Sequence, residues 1–212
     1  QDDINSICFD TEPLENSISI LGSSELKLAI TSDQDCGQVV VRLCDVSPSG
    51  SSKRISYGVL NLAMRNGLDC PKLVVPGEVM DVSIKLDDTG YEIPPGHRLR
   101  LAVSTAYFPL IWPAPKKSKL TLDLASSCLT ILCHDRSAAL VRDLGQGYVC
   151  PVKKTKKIRP EKHDRVVQTD ARDGLVTTKI NDDFGKYTFL EHNLTVGESC
   201  KEIHSILPDD PC

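Results

Sequence analysis

The sequence has no Cys-x-x-Cys pair and no Gly-x-Ser-x-Gly elbow. It also has no apolar run near the roughly 18 residues that a membrane-spanning helix requires. The first absence argues against a zinc site, although the chain carries nine cysteines at scattered spacings. The second removes the strained strand-to-helix turn that exposes a hydrolase serine, and the strand and long-helix alternation that would build its sheet is missing too. Aromatic residues are sparse at 5%, with a single Trp, and charge is balanced to a net −4. A dedicated nucleic-acid binder is usually basic over its whole domain, so the balance argues against that class. Helical periodicity is scarce; the best candidate is Ser137 to Leu144, stopped by Gly145.

The chain has 212 residues, 40% of them hydrophobic, which is enough to bury a core without disulfide staples. The cysteines are therefore expected to be mostly reduced thiols acting as small hydrophobes, which favours a cytoplasmic, reducing compartment. One glycosylation triplet, Asn193-Leu194-Thr195, stands against that compartment. The start at Gln1 and the stop at Pro211-Cys212 both read as cuts in a longer protein.

Period-two alternation dominates what remains. Leu26, Leu28 and Ile30 share one face of a strand, as do Val39, Val41 and Leu43, and then Met80, Val82, Ile84 and Leu86. Leu99, Leu101 and Val103 form a fourth set, and Leu120, Leu122 and Leu124 a fifth. Alternation between apolar and polar faces predicts antiparallel sheets with one wet side. Turn clusters at Ser47-Pro48-Ser49-Gly50, Val75-Pro76-Gly77, Pro94-Pro95-Gly96 and Pro113-Ala114-Pro115 separate the strands, the spacing of a sandwich or barrel. A linker is expected over 134–160; the stretch Lys153 to Arg165 holds seven basic residues, and its basic run Lys153 to Arg159 reads as a solvated connector. Beyond it, Arg172-Asp173-Gly174 predicts a hairpin between Arg165–Thr169 and Leu175–Ile180. A short strand pair follows around Tyr187–Leu190 and Leu194–Val196.

Few residues carry chemistry by pattern. His97 follows the Pro94-Pro95-Gly96 turn and reads as a turn residue bonding backbone. His134-Asp135 and His163-Asp164 are adjacent pairs whose side chains diverge on a strand, so neither converges on a metal. The stretch Tyr107-Phe108-Pro109-Leu110-Ile111-Trp112-Pro113 is different: it holds the only Trp, and its prolines bar it from a central strand. An apolar, proline-stiffened loop on a β scaffold serves either as a docking surface or as a lid folded back on its own core.

These segments resemble a known family. ICFDTEPLENSISILGSSELKLAITSD, VVVRLCDVSPSGSS and YGVLNLAMR are similar to successive strands in the C-terminal domain of the X-Pro dipeptidyl-peptidase and cocaine esterase family of serine hydrolases. The most specific stretch runs from Leu73 to Pro115. It carries the Pro76-Gly77-Glu78 turn, the Gly96-His97-Arg98-Leu99-Arg100 strand start and the Ser104-Thr105-Ala106-Tyr107-Phe108-Pro109 exit. The resemblance covers residues 1 to about 133, and VGESCKEIHSILPDDP resembles an extension in one branch of the family.

The resemblance implies an all-β jelly-roll β-sandwich of galactose-binding-like type over 1–133. A linker over 134–160 and a smaller β-hairpin extension over 161–212 would follow. It implies no catalytic residue in this chain, because the family's triad sits in a preceding α/β-hydrolase domain; no cofactor and no metal are expected. That catalytic domain of the same parent chain is the implied partner, with homodimer contacts as a further expectation and neither nucleic acid nor membrane called for. Tyr107, Phe108, Ile111, Trp112 and His97 are the candidate interface or cleft residues. The loop reads Pro-Leu-Ile-Trp-Pro where many members have a polar Asp-Arg-Asn run, so no substrate contact is carried over to it. From a different class, a free-standing carbohydrate- or protein-binding sandwich is the rival reading.

Overall fold

Side chains that alternate every second residue can bury one face only when strands lie side by side, and the computed structural model shows that arrangement. It describes residues 2–135, 143, 145–207 and 210; the expected helix at 137–144 lies almost wholly outside them. Among the described residues there is no α-helix. Nine strands form the first unit: β1 (Ile7–Asp10), β2 (Ile18–Gly22), β3 (Glu25–Ser32), β4 (Gln38–Val46), β5 (Ser52–Asn61), β6 (Met80–Lys85), β7 (Thr89–Ile93), β8 (Arg98–Ser104) and β9 (Leu120–Thr130). Four follow in the second: β10 (Thr155–Arg159), β11 (Lys162–Thr169), β12 (Val176–Phe189) and β13 (Leu194–Ile206). The units divide between residues 139 and 140.

The first unit is a β-sandwich with crossed-over, antiparallel connections. One sheet has the order β1-β8-β4-β5; the other layer is built from β6-β3-β9 and the pair β2-β7. Leu26, Leu28 and Ile30 stand opposite Ile84, Val82 and Met80 in register, so both strands turn the same apolar face inward. These meet Val39, Val41 and Leu43 of β4 and Leu99 and Val103 of β8 in one buried cluster. The two layers close on each other at Gly58 of β5, where a Cβ would stand 2.7 Å from the Lys85 carbonyl. Ser56 donates to the Asp87 carbonyl at 2.7 Å on the same seam.

Two sequence expectations change here. The β4 strand has no wet side: every residue from Val39 to Val46 is buried, including Arg42 and Cys44 on the outer face. Leu124 does not face inward but is 57% exposed. The reason is a wide bulge in β9: Lys27 pairs with Cys128 and Ala29 with Asp123, so 124–127 loop out opposite Leu28. Asp123 holds the bulge, its carboxylate accepting from the Ala125 amide at 3.1 Å and the Ser126 hydroxyl at 3.0 Å.

The second unit is larger than a hairpin. The 14-residue β12 pairs with β11 and β10 along one edge and with β13 along the other. The hairpin expected at Arg172-Asp173-Gly174 is present, closed by Asp170 N–H to Leu175 O at 2.9 Å and Gly174 N–H to Asp170 O at 2.8 Å. The basic run read as a connector supplies β10, although all five of its residues are exposed. Its end is accommodated by a bulge at Gly185, where φ is 82° and a Cβ would lie 2.9 Å from the Arg159 carbonyl.

Candidate functional site

Three loops gather at one end of the sandwich, where β3, β5 and β8 end and β4, β6 and β9 begin. The β8–β9 loop is the aromatic stretch. Tyr107 and Ile111 pair through both backbone groups at 2.8 Å, making a short return with Leu110 near its tip. The Phe108 and Trp112 rings meet edge to face at 5.2 Å. The Trp112 carbonyl accepts from the Gln38 side chain at the start of β4.

The neighbouring loops lock to this one. The Asp35 carbonyl accepts from the Val74 amide at 3.0 Å, while its carboxylate pairs with Lys116 at 2.7 Å. That bond holds the Asp35 carboxyl below its ordinary value. Arg65 spans the β5–β6 loop, donating to the Leu62 and Lys72 carbonyls at 2.8 and 2.7 Å. Gly37 stands between them, its hydrogen aimed at Leu62 on one loop and Ser118 on the other.

Among charged residues such as Asp69, Lys72, Glu78 and Lys117, this end exposes several large apolar side chains. Leu110 is 52% and Trp112 44% exposed, and Leu68, Leu73 and Val79 on the β5–β6 loop are more exposed still. Tyr107, Phe108 and Ile111 are half-buried and form the base on which Leu110 and Trp112 stand. The sequence marked the aromatic stretch because it is contiguous. Leu68, Leu73 and Val79 give no such signal, being scattered along a loop without periodicity.

His97 is not part of this surface. It sits at the opposite end of the seven-residue β8, a separation of about 20 Å by strand rise. Its Nδ1 lies 2.6 Å from Asp45 Oδ1, and Tyr91 donates its hydroxyl to Asp45 Oδ2 at 2.9 Å. Burial, and then the Asp45 carboxylate, push the Tyr91 phenol up. The ring of His97 thus bonds a carboxylate, while its backbone carbonyl accepts from Leu14. Together these tie the 94–97 turn to β4 and to the segment after β1. His163 likewise pairs across strands with Asp182 at 2.8 Å rather than with its chain neighbour. Among the described residues no group of three or more His, Cys, Asp or Glu side chains is placed to hold a metal ion.

A second arrangement, invisible to motif reading, lies on the outer face of β4. Arg42 donates to Ser6 Oγ at 2.6 Å and lies 3.3 Å from Asp3. Its guanidinium stands 4.8 Å from the Tyr107 ring centroid, and Arg54 lies 5.3 Å from the same ring. Arg100 grips Asp10 with two nitrogens at 2.7 Å and Asp3 at 2.9 Å. The only sequence signal is an arginine inside Val39-Val40-Val41-Arg42-Leu43, a charge where burial is expected.

Residues 1–167 match the family described as the X-Pro dipeptidyl-peptidase C-terminal non-catalytic domain. The chain belongs to that family. This X-Pro dipeptidyl-peptidase C-terminal domain is 29% identical over 109 residues to the cocaine esterase of Rhodococcus sp. (strain MB1 Bresler), covering 51% of this chain and 19% of the esterase. It is 33% identical over 106 residues to the Xaa-Pro dipeptidyl-peptidase of Streptococcus pneumoniae serotype 19F, covering 50% and 14%. Among solved structures, an α-amino acid ester hydrolase superposes with a TM-score of 0.58 at 20% identity, over 61% of this chain and 26% of that one. A CocE/NonD family hydrolase from Staphylococcus aureus superposes with a TM-score of 0.53 at 14% identity, over 63% and 31%. The domain therefore spans less than a fifth of these curated relatives, each of which carries it within a larger hydrolase chain.

Proposed function

We propose that this domain docks, through the loop end of its sandwich, on a serine-hydrolase catalytic domain of the same polypeptide and helps wall that domain's substrate cleft. The substrates would be esters or Xaa-Pro peptides, the classes named in its relatives. The observation that carries this reading is the exposure of Leu110 and Trp112 on a braced, apolar loop, with Leu68, Leu73 and Val79 exposed on another loop at the same end of the sandwich. Fully burying one such side chain contributes roughly 1.5 to 3 kcal/mol, so a few of them anchor an interface. The loop is held by its own backbone pair and by neighbouring loops, which limits the entropy lost on docking. Homodimer contacts through the same surface would compete with that docking.

Trp112 is the only tryptophan, so its fluorescence reports on this loop alone. In the isolated chain its emission should be red-shifted and open to iodide. Adding the separately produced catalytic domain of the parent polypeptide should shift emission to the blue and protect it. Blue, unquenchable emission from the monomeric chain would mean that the loop packs on its own core, and docking would fall. Protection that instead grows with the concentration of this chain alone would assign the surface to a dimer.

A further inference from the structure

We propose that Arg42 is a positioning residue that couples the N-terminal turn of the chain to the aromatic loop, so that the loop is held fixed in its docking form only while that turn is seated. The proposal rests on the docking reading above and adds what controls the docking surface. Arg42 projects from the outer face of β4 with its side chain only 3% exposed. A guanidinium removed from water needs neighbours that answer its charge. Here they come from two places far apart in sequence. Asp3 and Ser6 belong to the turn that precedes β1, and Tyr107 is the residue from which the aromatic loop springs.

One planar group thus meets an ion pair and a hydroxyl along its edge and an aromatic ring on its face. Lysine would keep the charge but lose both the fork and the flat surface, so the contact is specific to arginine. Tyr107 passes the constraint on, since its N–H and C=O hold Ile111, and Trp112 follows directly. In a C-terminal domain, the residues before β1 are those that arrive from the preceding domain. Seating of that segment and presentation of the loop are then two contacts with one neighbour, linked through Arg42.

The test uses the 212-residue chain and reads iodide quenching of Trp112, with circular dichroism and thermal melting as controls. Asp3→Asn should raise the quenching constant roughly twofold by freeing the loop, with the sheet spectrum unchanged. Tyr107→Leu should do the same, and Asp3→Asn added to Tyr107→Leu should change quenching no further, because the link is already cut. Arg42→Lys should resemble Asp3→Asn rather than wild type. If Arg42 variants do not fold, the Asp3 and Tyr107 cycle decides alone. Quenching unmoved by Asp3→Asn despite a lowered melting point would reduce Arg42 to a structural ion pair and overturn the proposal, as would additive effects in the double variant. None of these readouts involves the catalytic domain. Failure of that domain to protect Trp112 therefore removes the docking reading without altering the outcome of the cycle.

Discussion

Asp3 and Asp10 share Arg100, and their titration follows from that geometry. Burial works to raise the Asp3 carboxyl. Its bonds to Arg100 and Ser52 and the charge of Arg42 outweigh burial and hold it below the ordinary 3.8. The two-pronged Arg100 contact holds Asp10 below the same value. Both folded values lie under the unfolded ones, so the stability they contribute is fully present above about pH 4 and is lost as pH falls through the depressed values. Thermal melts at pH 7 to 2.5 should show the Asp3→Asn/Asp10→Asn variant less stable than wild type at neutral pH. Its decline on acidification should also be shallower. Asp35, Asp170 and Asp183 are likewise depressed by basic partners and add to the slope of both proteins. The difference between the two curves is therefore what isolates the N-terminal cluster, and parallel curves would contradict the assignment.

At the scale of the strand, apolar alternation says which residues share a face but not whether that face is covered. Leu43 of β4 is fully buried, whereas Leu124 of β9 is swung outward by the bulge that Asp123 holds. Leu43→Ala should lower stability by roughly 2 to 5 kcal/mol, and Leu124→Ala should stay within about 0.5 kcal/mol; urea denaturation measures both. An equal loss at the two sites would return Leu124 to the core. The difference marks what the sequence could show. The strands around Leu28, Val41, Val82 and Leu101 were legible because one face is apolar throughout. The register break in β9 was not, since Leu120, Leu122 and Leu124 keep their spacing through it. The full length of β12 was hidden because Asn181-Asp182-Asp183 is polar on both faces, although β11 and β13 pair with it residue by residue. The aromatic loop was legible as a contiguous stretch. The Asp3, Arg42 and Tyr107 link was not, because strand pairing brings together residues about a hundred positions apart.

Over the whole molecule, burial is divided very unevenly. Of the buried apolar side chains among the described residues, Ile206 alone belongs to the second unit; the rest lie between Ile20 and Val103. Yet the second unit carries the two longest strands, β12 and β13, and pairs them along most of their length. Its backbone is therefore held by ladder hydrogen bonds, cross-strand pairs such as Thr188 with Thr195, and ion pairs such as Arg159 with Asp183. Exposed ion pairs contribute little, about 0 to 1 kcal/mol each, and cross-strand pairs a few tenths to about 1 kcal/mol. The apolar term that dominates folding is concentrated in the sandwich. Local opening should follow that division, because backbone hydrogen bonds without a core above them open at lower free energy than those inside one. Native-state hydrogen exchange is expected to find amides of β11, β12 and β13 exchanging well before those of β3 and β4, with β4, buried on both faces, slowest of all. Amides in β12 as slow as those in β4 would show that this sheet draws its stability from a cover beyond its own side chains, and the division of stability argued here would fail.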